Sequence, residues 1–220
     1  MLDRSGYFET VTLSEDDLKR NDMYRANAQR AKAQSRFADY HDYLLSLEMT
    51  AEIGDFSPLY LQRITQLTNK SNQFNLTTKR YTAEQMEAVY NSDEYIRLYG
   101  KLYDKFGDNG VVAVTIGKTD SEDKGRLDIE LWLMSCRVLK RDMELAMLDS
   151  LVEQAKKRGI REIYGHYYPT AKNKMVAGLY ESFGFEKISQ DEEGNTAWRL
   201  LVEGYEDKNT VIKVKEEHYA

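Results

Sequence analysis

The hydrophobic period of this chain changes at residue 111, and that change restricts its possible folds more than any other feature. Val111-Val112-Ala113-Val114-Thr115-Ile116 is a run of β-branched and small apolar residues closed by Gly117, the pattern of a buried strand. A polar turn over 120–125 leads into Leu127-Asp128-Ile129-Glu130-Leu131-Trp132-Leu133-Met134, the second strand of a hairpin. Residues 140–158 then follow helical spacing, with Leu145, Leu148, Leu151, Val152 and Ala155 on one face and Gly159 as the stop. A strand over 162–167, a helix over 173–183 and strands near 186–189 and 196–202 follow. Helices alternating with strands in this way bury their apolar faces by packing on a mixed sheet.

Upstream, Ser14-Glu15-Asp16-Asp17 is a helix start with acidic residues that suit the helix dipole. The helical rhythm continues to about Leu47 without glycine or proline. Residues 49–53 read as a short strand closed by Gly54-Asp55. Ser57-Pro58 sets proline in the first turn of a helix bearing Leu61, Ile64 and Leu67. An extended stretch, Phe74-Asn75-Leu76-Thr77-Thr78, precedes a helix over 82–90 capped by Thr82. Past residue 203 the chain is charged, with Val211-Ile212-Lys213-Val214 as a candidate edge strand. The expected organisation is a helical extension over 1–46, a sheet domain over 47–203, and a charged tail or edge strand over 204–220.

The 31 basic residues are outnumbered by 37 acidic ones, for a net charge of −6. That balance argues against a general nucleic-acid binder, since phosphate contacts need clustered Lys and Arg. The single cysteine, Cys136, excludes an internal disulfide framework and a cysteine-based zinc site. No His and carboxylate grouping has metal-ligand spacing, so no metal is expected. No apolar run approaches the roughly 18–20 residues of a membrane span, and the reading is of a cytoplasmic protein.

Two segments carry a resemblance. The first runs Arg63-Ile64-Thr65-Gln66-Leu67-Thr68-Asn69-Lys70-Ser71-Asn72-Gln73-Phe74-Asn75-Leu76-Thr77-Thr78-Lys79-Arg80-Tyr81; the second is Leu133-Met134-Ser135-Cys136-Arg137-Val138-Leu139, with Glu144, Tyr168-Pro169-Thr170, Asn173 and residues 180–185 beyond. Together with the element order they resemble the C-terminal domain of FkbH-like proteins, a branch of the GNAT superfamily. The resemblance implies an α+β fold, the GNAT acyl-CoA N-acyltransferase fold, with a mixed, mostly antiparallel sheet flanked by helices. It implies acyl transfer from a thioester, with acetyl-CoA or another acyl-CoA, or the phosphopantetheine of an acyl carrier protein, holding a glyceryl-type unit. It also implies an HAD-type phosphatase domain upstream. No Asp-x-Asp-x-Thr motif stands near the start, so that chemistry is expected in a missing domain or a separate chain. The alternative is a catalytically inactive module that docks the carrier protein.

The family's pyrophosphate loop, Arg/Gln-x-x-Gly-x-Gly/Ala, corresponds to Arg137-Val138-Leu139-Lys140-Arg141-Asp142. Lys140 and Asp142 replace the glycines that let backbone close on phosphate. Ser135, Cys136, Arg137, Val138, Lys140, Arg141, Asp142 and Asn173 are therefore the cofactor-binding candidates, with a plain helix cap as the other reading of Asn173. Tyr180 stands where the family places a tyrosine that protonates the leaving thiolate, or it packs between helix and sheet. Cys136 is either an acyl-accepting nucleophile or a small buried hydrophobe. His166 is either a base at the sheet opening or a packed core histidine. Lys70, Asn72, Gln73, Phe74, Asn75, Thr77 and Thr78 either line the substrate or tie down their own turns. Lys70, Lys79, Arg80, Lys140, Arg141, Lys172 and Lys174 form the basic set that would meet an acidic carrier protein.

Overall fold

The computed structural model describes residues 15–216, with side chains from 25 to 215. The chain divides into two compact units, Met1–Tyr43 and Leu44–Ala220. The first contains the polar helix α1 (Glu15–Gln34), and its Tyr43 hydroxyl donates to the Arg30 carbonyl at 3.4 Å. Ser14, the expected cap of that helix, lies outside the described residues. Helix α2 follows (Tyr40–Ser46).

The second unit is built on one sheet. Its elements are β1 (Thr50–Asp55), α3 (Pro58–Lys70), β2 (Phe74–Asn75), α4 (Ala83–Tyr90), β3 (Tyr95–Asp104), β4 (Gly107–Thr119), β5 (Arg126–Met134), α5 (Met143–Lys157), β6 (Glu162–Tyr167), α6 (Leu179–Ser182), β7 (Glu186–Gln190), β8 (Thr196–Leu201) and β9 (Lys213–Glu216). The strands lie in the order β7-β8-β6-β5-β4-β3-β1-β9, with β2 added to β5. Among the described residues only β5 with β6 and β1 with β9 run parallel. Ser57 and Thr82 cap α3 and α4, the latter with a full capping box through Gln85.

A register shift between Ile116 and Gly117 marks a bulge opposite residues 129–131 of β5. Beyond it Leu131 and Leu133 join Ile64 and Leu67 of α3 and Met86 and Val89 of α4 in one core. Trp132 points to the opposite face, fully buried, with its ring 5.3 Å from that of Phe183. Burying each such side chain is worth about 1.5–3 kcal/mol.

Four features depart from the sequence reading. The strand β3 was not anticipated, although Ile96, Leu98 and Leu102 alternate and are buried. The helix expected from residue 140 starts only at Met143, because Lys140 and Asp142 adopt left-handed backbone with φ of 63° and 60°. The helix expected over 173–183 is a short turn (Lys174–Val176) followed by the four residues of α6, with Gly178 between them. The edge strand falls at Lys213–Glu216 rather than 211–214, since Val211 and Ile212 are buried.

The parallel pair β5 and β6 stays together only where residues 126–128 face 162–164; beyond that the strands part. The gap is filled by the chain itself. Phe74 and Asn75 pair antiparallel with Met134 and Leu133, and the Leu76 N–H donates to the Trp132 carbonyl at 3.1 Å. On the other side, the Tyr168 N–H donates to the Leu76 carbonyl at 2.9 Å. Asn173, fully buried, clamps the join: its amide nitrogen donates to the carbonyls of Asn75 and Tyr168, both at 2.9 Å, and its oxygen accepts from the backbone and hydroxyl of Thr170.

Two outcomes follow from this packing. Asn173→Ala removes four hydrogen bonds and leaves buried carbonyls unpaired, so urea unfolding should show a loss of about 2–4 kcal/mol; a loss below about 0.5 kcal/mol would mean the clamp is idle. In the first turn of α5, one carboxylate oxygen of Glu144 is sealed with no hydrogen-bond partner, and burial raises its pKa. A raised acid costs stability as pH climbs through that value, because the folded state must give up a proton it holds more tightly than the unfolded chain. Glu144→Gln should therefore be more stable than the parent at pH 7, with the gain vanishing below the ordinary carboxylate range in pH-dependent melts.

Candidate functional site

The last residues of β5 are buried from Leu131 to Ser135, and the chain then turns outward at Cys136, whose thiol is exposed. Ser135 holds the turn: its backbone N–H bonds to the Val112 carbonyl at 2.7 Å, and its hydroxyl accepts from the Arg137 backbone and Nε. Val138 plugs into the core, fully buried. The left-handed residues Lys140 and Asp142 follow, and Asp142 makes no side-chain cap to α5. The loop thus keeps the backbone conformation that favours glycine, at a cost of about 1–2 kcal/mol for each side chain present.

Arg141, expected to meet a phosphate, turns the other way. Its guanidinium pairs at 3.1 Å with Asp104, whose side chain is completely buried at the end of β3. Asp104 also accepts from the Phe106 N–H and the Asn109 amide. This buried pair ties the loop to the β3–β4 hairpin.

Beside Cys136 opens a cleft of about 740 Å³, within the range of small-molecule sites. Its wall comes from α3 (Arg63, Leu67, Lys70), from the following segment (Asn72, Gln73, Phe74), from the end of β5 (Met134, Ser135, Cys136) and from Lys172. The lining includes no acidic residue. Burial, and then the positive charge of Arg137, lower the pKa of Arg63. Three guanidinium or ammonium groups thus share one cleft in a chain of net charge −6.

The structure brings together Cys136, Ser135, Lys70, Asn72, Gln73 and Phe74, and separates the other candidates from them. Asn75 is fully buried, its amide bonded to the Ser71 carbonyl and its oxygen to the Thr78 N–H. The Thr77 hydroxyl donates to the Glu130 carbonyl at 2.8 Å, and Thr78 is left-handed with φ 54°. These three hold the filling segment in place. Asn173 faces that segment, not the solvent. Tyr180 is buried with its ring against Gly165, where an added Cβ would lie 2.3 Å from it. Its hydroxyl lies beside the His166 backbone without a well-formed hydrogen bond, and burial pushes its pKa far above the usual phenol value.

His166 stands on the other face of the sheet, with Nε2 3.2 Å from Asp128 Oδ1. Asp128 is gripped by Arg126 at 2.7 and 2.8 Å. Burial works to raise the Asp128 pKa, but the bonds from His166 and Arg126 outweigh it and the net shift is downward. Asp128, Asp104 and Arg63 were not singled out from sequence. Arg63 was within reach, because 63, 67 and 70 follow the i, i+4, i+7 spacing of one helix face. Asp104 and Asp128 needed cross-strand register.

A phosphorylated thiol arm meets a mixed fit. The left-handed loop and cationic wall suit its phosphate. The inner edge of β5, where an arm between parted strands would bond, is already paired with residues 74–76.

No protein-family model and no curated protein matches the chain. Solved structures do. Ard1 of Thermoplasma volcanium is 14% identical with a TM-score of 0.51, covering 69% of this chain and 97% of its own. The GNAT domain of S. lividans PAT is 15% identical with a TM-score of 0.54, over 69% of this chain and 90% of that one. Salmonella typhimurium yncA, solved with acetyl-CoA, is 14% identical with a TM-score of 0.52, over 74% and 99%. The chain therefore carries the GNAT acetyltransferase fold, an α+β mixed sheet flanked by helices.

Proposed function

We propose that this domain is an acyltransferase that accepts an acyl unit, of glyceryl type, from the phosphopantetheine thioester of an acyl carrier protein, with an HAD-type phosphatase as its working partner. The observation that carries the reading is the exposed Cys136 thiol at the end of β5, opening into an acid-free basic cleft on a GNAT fold. Carrier proteins are acidic, and Lys70 and Lys172 at the cleft give the complementary charge that speeds and orients docking. The apolar floor of Leu67, Phe74 and Met134 suits the pantetheine stem.

In this reading the Cys136 sulfur attacks the thioester carbonyl carbon. The bond from that carbon to the arm sulfur breaks, and the thiol proton passes to the departing thiolate. The acyl group rests on Cys136 as a thioester until an acceptor takes it and the thiol is restored. Tyr180, sealed from the cleft, takes no part. A second reading, a docking module without transfer, draws on the filled edge of β5, which leaves no strand-bonded position for the arm.

Incubation with acyl-loaded carrier protein should give the acyl mass on the peptide containing Cys136, and Cys136→Ala should lose both that mass and at least tenfold in transfer. Undiminished transfer by Cys136→Ala would end the relay, and binding of loaded carrier with no transfer by the parent would leave the docking module. The loop generates its own prediction. Lys140→Gly with Asp142→Gly should relieve left-handed strain of about 1–2 kcal/mol per site and open the backbone to phosphate. Calorimetry should then show tighter coenzyme A binding than the parent, together with a higher melting temperature; unchanged affinity would mean the amides there do not face the ligand.

A further inference from the structure

The cleft holds a residue that the acyl-transfer reading does not use. Arg63 lies on α3, half-buried, and its guanidinium forms no hydrogen bond and no ion pair among the described residues. Its strongest charged neighbour is another cation, Arg137. Lys70 projects from the same helix face, two turns on, and Lys172 from the segment after β6; all three line the one cleft.

Elsewhere on this surface cations find acids: Arg161 pairs with Asp123, Arg199 with Glu162 and Glu186, Lys101 with Glu52, Lys118 with Glu94. The desolvation of an arginine beside a second arginine, with no carboxylate among the residues lining the cleft, is unfavourable for the protein alone. Such a cluster is stabilised when an anion enters it. A guanidinium offers a planar fork of donors that matches two oxygens of a phosphate, and the two ammonium groups supply charge without fixed direction.

We infer that Arg63, with Lys70 and Lys172, forms a recognition site for a single phosphate group borne on an organic stem. The stem lies on Leu67, Phe74 and Met134, and Ser135, Asn72 and Gln73 offer neutral polar contacts around it. The excess of acidic residues over the chain as a whole disfavours a long polyanion at the same place. None of Arg63, Lys70 and Lys172 belongs to the loop over 137–142, which borders the cleft through Arg137. The inference deepens the carrier-arm reading and rests on it for the biological source of the phosphate, which is either the phosphodiester that joins the arm to a carrier protein or the monoester of a small phosphorylated metabolite.

The test is calorimetric titration of the full chain with inorganic phosphate, 4′-phosphopantetheine and unphosphorylated pantetheine, with chloride as the competing anion. Phosphate and 4′-phosphopantetheine should bind, pantetheine at least tenfold more weakly than its phosphorylated form. Arg63→Gln should weaken 4′-phosphopantetheine about tenfold or more, the loss of one charge-assisted contact, while its melting temperature stays level or rises. Lys172→Gln should weaken binding less and flatten its salt dependence. Equal affinity for the phosphorylated and unphosphorylated stems, or an Arg63→Gln variant that binds as the parent, would overturn the site. A fall in melting temperature with phosphate affinity intact would make Arg63 structural, which also overturns it. Inorganic phosphate binding as tightly as 4′-phosphopantetheine would overturn the stem and leave a bare anion site. If holo carrier protein binds while none of the phosphate probes does, the anion site fails and the carrier reading stands.

Discussion

Two parallel strands that part must do something with the backbone groups they no longer share. In a sheet interior, unpaired N–H and carbonyl groups cost as much as broken hydrogen bonds, so a splay persists only where other partners are supplied. Here the partners are residues 74–76, bonded to β5 through Trp132, Leu133 and Met134 and to the end of β6 through Tyr168. Asn173 completes the arrangement by giving both amide hydrogens to carbonyls on either side of the join. Much of the site's geometry depends on that join: it fixes the direction in which α3 leads into β2, and therefore where Arg63, Lys70 and Phe74 face Cys136.

The other support is electrostatic and sits at the far side of the loop. The buried Arg141–Asp104 pair anchors a stretch in which two non-glycine residues hold left-handed backbone. Removing one partner of such a pair leaves an uncompensated charge and typically costs about 3–5 kcal/mol. The loop is thus held in a conformation glycine would adopt freely, and its arginine is used for anchoring. Positive charge for a ligand comes instead from α3 and from the segment after β6. A fold in which the phosphate-facing cations are displaced from the loop to a neighbouring wall can keep an anionic ligand while changing how its stem lies.

Much of the architecture was legible in the sequence because it was written as periodicity. Val111 to Ile116, the hairpin through residues 120–125, the apolar face of Leu148, Leu151, Val152 and Ala155 and the strand at 162–167 all fell where their spacing placed them, whereas Leu145, expected on that face, is only partly buried. The strand β3 was missed although it alternates, because Gly100 interrupts its apolar face and Arg97, Lys101 and Asp104 make the segment polar as a whole. The site was less legible. The segment around Asn75 and Thr77 showed its polarity but not its use, since whether an amide faces solvent or a parted strand depends on pairing 50 or more residues away. Lys140 and Asp142 gave no sign of left-handed backbone beyond the glycines they replace, and Tyr180 gave none of its burial against Gly165.

The account turns on the parted strands being closed by the chain's own segment, with any phosphorylated arm lying beside it in the basic cleft. Amide hydrogen exchange at Leu76 and Tyr168, followed with and without saturating holo carrier protein, tests this most directly. Both amides should be strongly protected in the free protein and stay so in the complex. Rapid exchange in the free protein, or protection lost on binding, would mean the segment is a movable occupant of the arm's own position and would contradict the account.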